Sequence, residues 1–182
     1  MQTTTVLYES IGPVARLTLN RPERANAMNR TMLGEIQQVC DAVEADPGVR
    51  VLVVTGTGSA FSSGFDLKEQ MEARPSGKTV WREILDRDFD ATMRFWSLSK
   101  PTIAAVHGPC LAGAFELALA CDITITDETG VFGEPELKFG AGIVTMILPW
   151  ITGPKQAKEI ILNGLDNVSA AEALRLGLVN RV

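Results

Sequence analysis

One ionisable side chain, Glu116, interrupts an otherwise apolar stretch of the sequence. The segment from Leu111 to Ala120 reads LAGAFELALA, which predicts a short buried helix. Burying an unpaired carboxylate is costly unless it is hydrogen-bonded or its pKa rises. A carboxyl group with a pKa near neutrality can transfer protons, so Glu116 is a candidate acid or base. The alternative is a structural carboxylate that is satisfied by a backbone amide or a distant arginine.

Two further carboxylates, Glu134 and Glu136, follow a predicted strand in the sequence FGEPE. A loop at this point could bring one of them beside Glu116. The residue types and their spacing do not choose between the two glutamates. Taken alone, a Glu-Pro-Glu step is more simply explained as a solvated turn.

Two glycine-rich loops, 62–67 and 107–113, each follow a strand and lead toward a helix. Main-chain N–H groups at a helix N-terminus attract negative charge, and glycine lets a ligand approach them closely. If the two loops converge, their N–H groups would form an oxyanion hole. The alternative is that both loops are simple turns.

The elements that must position these residues alternate between strand and helix. Apolar patterning, caps and turn residues predict strands at 6–8, 14–19, 49–55, 102–106, 123–126, 131–132 and 178–182. They predict helices at 29–46, 81–98, 113–121, 154–163 and 169–177. The order favours a mixed α/β core of repeated ββα-like units. The polar stretch 68–78 is predicted to be a mobile flap.

Composition narrows the possible partners and compartments. The chain has 182 residues, 46% hydrophobic residues and a formal net charge of -5, which argue for a globular core and against nucleic-acid binding. No apolar run is long enough to span a bilayer, and the N-terminus does not look like a signal peptide. The three cysteines, Cys40, Cys110 and Cys121, are interpreted as reduced core residues. We therefore expect a cytoplasmic protein.

Several common catalytic motifs fail on inspection. Phe61 stands where a dinucleotide-binding loop needs a third small residue, and no Gly-Lys-Ser/Thr triplet is present. The only histidine, His107, would have to serve as the base of any serine nucleophile, and a structural role explains it better. One histidine and scattered cysteines do not make a zinc site.

Several blocks of the sequence, in the right order, resemble the crotonase (enoyl-CoA hydratase/isomerase) superfamily. These blocks are 19–22, 26–29, 51–58, 60–67, 100–108, 113–122, 132–136 and 177–180. The resemblance implies that the backbone N–H groups of Phe65 and Gly113 bind a thioester oxygen, and that Glu116 and Glu136 are the catalytic acid–base pair. It also implies a set of residues along the substrate and its coenzyme A: Ala25, Ala27, Ser63, Gly64, Asp66, Leu67 and Pro135.

The resemblance further implies a crotonase (ClpP-like) α/β spiral core of repeated ββα units, here one domain over 1–182 without the family's C-terminal helical segment. It implies an acyl-CoA or enoyl-CoA substrate from fatty acid metabolism, no separate cofactor because coenzyme A is part of the substrate, no metal, and no nucleic-acid or membrane partner. A homotrimer or homohexamer is the implied assembly. Phe65, Ala112 and Ala114 depart from the smaller residues usual in the family.

Three functions remain open on these grounds. The first is the hydration of a trans-2-enoyl-CoA through an enolate held in the oxyanion hole. The second is another reaction of the same enolate, such as double-bond isomerisation. The third is a non-catalytic subunit that binds acyl-CoA.

Overall fold

The computed structural model describes residues 3–182, which form eight strands and seven helices. The strands are β1 (Val6–Ile11), β2 (Val14–Leu19), β3 (Val51–Gly56), β4 (Thr102–Val106), β5 (Pro109–Leu111), β6 (Ile123–Thr126), β7 (Val131–Gly133) and β8 (Val168–Ser169). The helices are α1 (Arg30–Ala45), α2 (Leu67–Ala73), α3 (Lys78–Ser97), α4 (Gly113–Ala120), α5 (Leu148–Thr152), α6 (Pro154–Leu162) and α7 (Ala170–Arg175).

The strands form two sheets. The first has the order β1-β2-β3-β4-β6, in which only the β1–β2 hairpin is antiparallel. The second has the order β5-β7-β8, with β5 and β7 parallel. Because β4 and β6 pair in one sheet while β5 and β7 pair in the other, each successive strand pair contributes to both sheets. This is the predicted repeated ββα pattern, with α4 after the β4–β5 pair.

The helix α1 shows how the local sequence sets the fold. The side chain of Asn29 accepts a hydrogen bond from Met32 N at 3.0 Å, which caps the first turn. Its apolar face, which includes Ile36 and Val39, is fully buried in the hydrophobic core. Removing this face from water gives the helix most of its stability.

The predicted C-terminal strand 178–182 is wrong. Only one isolated bridge, between Ile125 and Arg181, forms in this segment. The side chain of Asn180 instead accepts a hydrogen bond from Thr124 N at 2.8 Å, and Asn180 N donates to Thr124 O at 2.7 Å. The side-chain oxygen of Asn180 therefore accepts the hydrogen bond from Thr124 N that a backbone carbonyl of a longer strand would accept.

The predicted flap 68–78 contains helix α2, whose first turn is capped by the side chain of Asp66 accepting from Glu69 N at 3.1 Å. The segment 68–78 is polar because most of its residues are exposed to solvent, and its mobility stays a prediction. Short β5, α5 and β8 were not predicted, because two to five residues carry too little periodicity. Within residues 3–182, no helix combines the length and apolar character that crossing a bilayer requires.

Two side-chain predictions from the sequence are confirmed. All three cysteines are buried and free. The His107 ring lies with Nε2 3.1 Å from Gly58 O, which is the structural role expected for it.

Candidate active site

Glu116 is held inside the fold by helix α4. Its side chain is 1% exposed, and its two carboxylate oxygens accept hydrogen bonds from Val144 N at 3.0 Å and Thr145 N at 2.9 Å. Burial, followed by the negative charge of Glu136, raises the pKa of Glu116 to about 8, although the two N–H donors oppose the rise. Glu116 is therefore a buried carboxyl group that can gain or lose a proton near neutrality.

Glu136 lies next to Glu116, in a 3-10 turn (Glu136–Phe139) that follows β7. One carboxylate oxygen from each of Glu116, Glu134 and Glu136 lies within 4.8 Å of the others. Burial raises the pKa of Glu136 above its ordinary value. The structure thus brings both sequence-predicted acid–base residues together, and it adds Glu134, which is 1% exposed.

The solvated turn considered for the Glu-Pro-Glu step is therefore not what forms. Glu134 is anchored through its backbone, because Glu134 N donates to Leu165 O at 2.8 Å. Three carboxylates could also bind a hard cation, but both oxygens of Glu116 already accept main-chain hydrogen bonds.

The two glycine-rich loops meet beside this cluster. A Cβ added to Gly64 would lie 2.9 Å from Leu111 O and 3.2 Å from Gly113 N, and one added to Gly113 would lie 2.3 Å from the ring of Phe65. The close contacts explain why only glycine fits at both positions. Ala112, just before α4, holds an unusual backbone conformation with φ 55° and ψ −137°.

Two main-chain donors at this junction have no acceptor within residues 3–182. Met28 N donates to Gly64 O and Asp66 N donates to Met28 O, so the backbone on both sides of Phe65 is fixed. Among residues 3–182, however, neither Phe65 N nor Gly113 N donates a hydrogen bond to another group. Since Gly113 is the first residue of α4, its N–H is one of the free donors of the helix N-terminus.

A cavity of about 460 Å³ lies at this junction. Its walls include Phe65 and Glu136 from the predicted site, but not Gly113 or Glu116. They also include Ala112, the neighbour of Gly113, together with Ser63, Leu67 and Pro135 from the predicted substrate-binding set. Residues from α2, from α3, from the 3-10 turn and from the loop after it complete the walls: Gln70, Trp81, Leu85, Asp88, Phe139, Gly140, Ala141, Gly142 and Ile143. Most of the lining is apolar, as expected of a small-molecule site.

The remaining predicted binding residues lie behind or beside this cavity. Ser63 N donates a hydrogen bond to Ala25 O at 3.0 Å, so the turn that contains Ala25 packs against the glycine-rich loop 62–67. Ala27 O accepts a hydrogen bond from the Arg21 guanidinium, which also pairs with Asp66 at 2.9 Å. Ala25, Ala27, Gly64 and Asp66 do not line the 460 Å³ cavity. Asp66 lines a neighbouring cavity of about 530 Å³, which shares Phe65 with the first.

Sequence reasoning missed several contributors to the site. Asp88 is buried in α3 and lines both cavities, and burial raises its pKa despite hydrogen bonds from Arg87. An aspartate in an amphipathic helix gives no sign that it faces a cavity. Val144 N and Thr145 N, which hold Glu116, are backbone groups in a loop and leave no signature in the residue types.

The chain belongs to the enoyl-CoA hydratase/isomerase family, whose sequence model matches residues 9–182. The fold described above is shared with solved structures of that family. The resemblance inferred from sequence blocks is confirmed.

Individual relatives are similar over most of this chain. A crystal structure of an enoyl-CoA hydratase/isomerase from Xanthobacter autotrophicus Py2 superposes with a TM-score of 0.98 at 65% identity, covering 100% of this chain and 67% of that one. A Thermus thermophilus protein that carries the name enoyl-CoA hydratase is 44% identical over 94% of this chain and 68% of its own length. The short-chain-enoyl-CoA hydratase of Clostridium acetobutylicum is 37% identical over 100% of this chain and 70% of its own length. The chain therefore spans about two thirds of these relatives.

Proposed function

We propose that the chain catalyses the addition of water to a trans-2-enoyl-CoA thioester. The observation that carries the proposal is the pair of carboxyl groups of Glu116 and Glu136, which have oxygens within 4.8 Å of each other and of which Glu136 lines the cavity. Phe65 N and Gly113 N, which have no acceptor within residues 3–182, add two main-chain donors to this part of the fold. The names of the relatives, which include enoyl-CoA and crotonyl-CoA hydratases, support the substrate class.

In this proposal, Phe65 N and Gly113 N donate hydrogen bonds to the thioester oxygen. Attack at C3 moves electrons toward that oxygen, and the resulting enolate is stabilised by the two fixed donors. Removing one donor of this kind typically costs on the order of 10²–10³ in rate. The donors require no side-chain movement, because the loop contacts around Gly64 and Gly113 already fix the backbone.

The two glutamates supply the proton transfers. Glu116 takes one proton from water as the water oxygen bonds to C3, and Glu136 delivers a proton to C2. The net change is one water added across the double bond. The charge of Glu136 raises the pKa of Glu116, so the two titrations are coupled and their apparent pKa values belong to the pair. Glu116 acts as the base in the molecules in which it is ionised. Before the next turnover the proton on Glu116 must return to Glu136, and the close spacing of the two carboxyl groups suits that return.

Loss of the enoyl-thioester absorbance of crotonyl-CoA tests the proposal directly. We expect Glu116→Gln and Glu136→Gln each to lower kcat by about 10²–10⁴, the usual contribution of a positioned acid or base. Glu128→Gln removes an exposed carboxylate and is the matched control. Full activity in either site variant would reject the assigned roles.

Double-bond isomerisation of a 3-enoyl-CoA is the second candidate. It is favoured by one feature of the site, namely that Glu136 lines the cavity while Glu116 does not, because one carboxylate suffices to move a proton between C2 and C4. Isomerase activity that survives Glu116→Gln, together with no hydration by the unmodified protein, would select this candidate.

The assembly, compartment and cofactor requirement are proposals of the same kind. We propose a homotrimer or homohexamer, for which exposed Phe139, Trp150 and Leu162 offer apolar contact surface. Three free cysteines suit a reducing compartment such as the cytoplasm. We propose that no cofactor is needed beyond the coenzyme A of the substrate. Sedimentation velocity tests the first of these proposals, and activity retained in a chelator tests the last for metal ions.

A further inference from the structure

Glu134 is a buried acid that the proposed reaction does not use. Its side chain is 1% exposed, and one of its oxygens lies within 4.8 Å of oxygens of both Glu116 and Glu136. Unlike Pro135 and Glu136, it does not line the 460 Å³ cavity. Its carboxyl group therefore lies near that of Glu136 and outside the wall of this cavity.

The hydrogen bonds around the three acids are unevenly distributed. Glu116 has a main-chain donor for each oxygen. In contrast, Oε2 of Glu134 and Oε2 of Glu136 are both buried with no hydrogen-bond partner within residues 3–182. An oxygen of Glu134 and an oxygen of Glu136 lie within 4.8 Å of each other, so the two groups would repel if both were ionised, and each oxygen without a donor would carry the cost of an unsatisfied buried group.

No counter-charge in the described part of the chain relieves this repulsion. The three glutamates form no ion pair there, and the ammonium of Lys138, on the same 3-10 turn as Glu136, is paired with Asp166 at 2.8 Å. The buried Cys110 thiol on β5 donates to Ala114 O at 3.5 Å, and burial raises its pKa, so it supplies no charge. Across the cavity, Asp88 is paired with Arg87 at 2.7 Å. A proton on one of the two carboxyl groups would supply the donor that the described backbone and side chains do not provide.

We infer that Glu134 remains a neutral carboxylic acid that donates its hydrogen to the carboxyl group of Glu136, and so acts as a positioning residue for the proton donor. One shared hydrogen satisfies both orphaned oxygens. The inference deepens the proposed function and rests on it for its kinetic consequences.

The electrostatics of the cluster agree with this geometry. Burial raises the pKa of Glu134 well above its ordinary value, and the charges of Glu136 and Glu116 raise it further. The hydrogen bond from Glu134 acts in the opposite direction on Glu136, because it lowers a pKa that burial raises. Without Glu134, Glu136 would hold its proton more tightly and release it to C2 more slowly.

Two substitutions separate the hydrogen bond from the charge. Glu134→Gln keeps a neutral donor of the same shape, so we expect kcat within about twofold and an unchanged pH profile. Glu134→Met removes the donor. Because hydrogen bonds to charged groups contribute about 1.5–3 kcal/mol, we expect the Glu136-dependent limb of the kcat profile to move up by about one pH unit or more, and kcat to fall about tenfold. KM should stay within about twofold in both variants, because Glu134 does not line the cavity.

The profile can also overturn the inference. If Glu134 were ionised, Glu134→Gln would remove a negative charge and move the apparent pKa values of the pair down. If Glu134 were uncoupled from Glu136, Glu134→Met would leave the profile unchanged. Either result rejects the hydrogen-bonded acid, provided that near-ultraviolet circular dichroism shows both variants folded.

Infrared spectroscopy tests the protonation state without turnover. The carbonyl stretch of a protonated carboxyl should be present at neutral pH and weaker in Glu134→Gln, with a frequency shift in D₂O. The exposed control Glu128→Gln should leave this band unchanged. An identical band in Glu134→Gln and the unmodified protein would reject the inference. A difference in the band with no turnover of any enoyl-CoA would instead reject the proposed function and leave the neutral acid standing.

Discussion

Replacing Glu116 with Gln should raise the stability of the protein at alkaline pH while it removes activity. The carboxyl group is buried, and its pKa of about 8 compares with an ordinary value of 4.5. Between these two pH values the native state binds a proton that the unfolded state has lost, so stability falls as pH rises. The favourable contribution is fully present below the unfolded pKa and is gone above the folded one.

The size of the effect follows from the same two values. The difference between 4.5 and about 8, at about 1.4 kcal/mol for each pH unit, gives an upper value of about 5 kcal/mol. A protonated carboxyl can still accept from both Val144 N and Thr145 N, whereas the amide nitrogen of Gln cannot accept, so one of these two N–H groups loses its partner. At about pH 5 the Gln variant should therefore be less stable than the unmodified protein by about 1–3 kcal/mol. At about pH 9 it should be more stable by about 2–4 kcal/mol, because the cost of ionising the buried carboxyl group is absent.

Urea unfolding at both pH values measures this difference, with equal m-values as the check that both proteins unfold alike. Glu128→Gln, at an exposed position, should show the pH dependence of the unmodified protein. The reasoning is refuted if Glu116→Gln and the unmodified protein lose the same stability between about pH 5 and about pH 9. Such a result would mean that Glu116 is ionised without cost in the native fold.

Two further predictions concern the loops. Gly113→Ala should cost about 1–3 kcal/mol of stability and at least a hundredfold in kcat, because the added Cβ would lie 2.3 Å from the Phe65 ring. The control is Gly34→Ala in α1, where an added Cβ meets nothing within 4 Å, and it should be neutral or slightly stabilising. Thermal unfolding of both variants measures the stability difference. Arg21→Met should lower the free energy of unfolding by about 1–3 kcal/mol and raise KM, because it leaves a partly buried carboxylate unpaired. Arg16→Met breaks an exposed pair and should change stability by less than about 0.5 kcal/mol.

The sequence by itself determined the class of fold, and it identified Glu116 and the two glycine-rich loops as candidate parts of the site. The helical spacing of apolar residues and the capping residues were sufficient to predict elements such as α1, where the Asn29 cap and a regular apolar face indicate the same helix. A lone glutamate in an apolar stretch was sufficient to mark Glu116, because burial of charge demands an explanation. Main-chain donors at glycine-rich loops were also visible as candidates, although whether they bind an oxyanion stays a prediction.

Tertiary structure alone decided which groups meet. Glu134 and Glu136 could not be ranked by spacing, and the fold shows that both carboxyl groups join Glu116 while only Glu136 reaches the cavity. Asp88 enters the same cavity from α3, which the sequence could not indicate. Local pattern fixes a helix or strand through contacts a few residues apart, whereas a site forms between residues far apart in the chain, and their distances depend on how the layers pack.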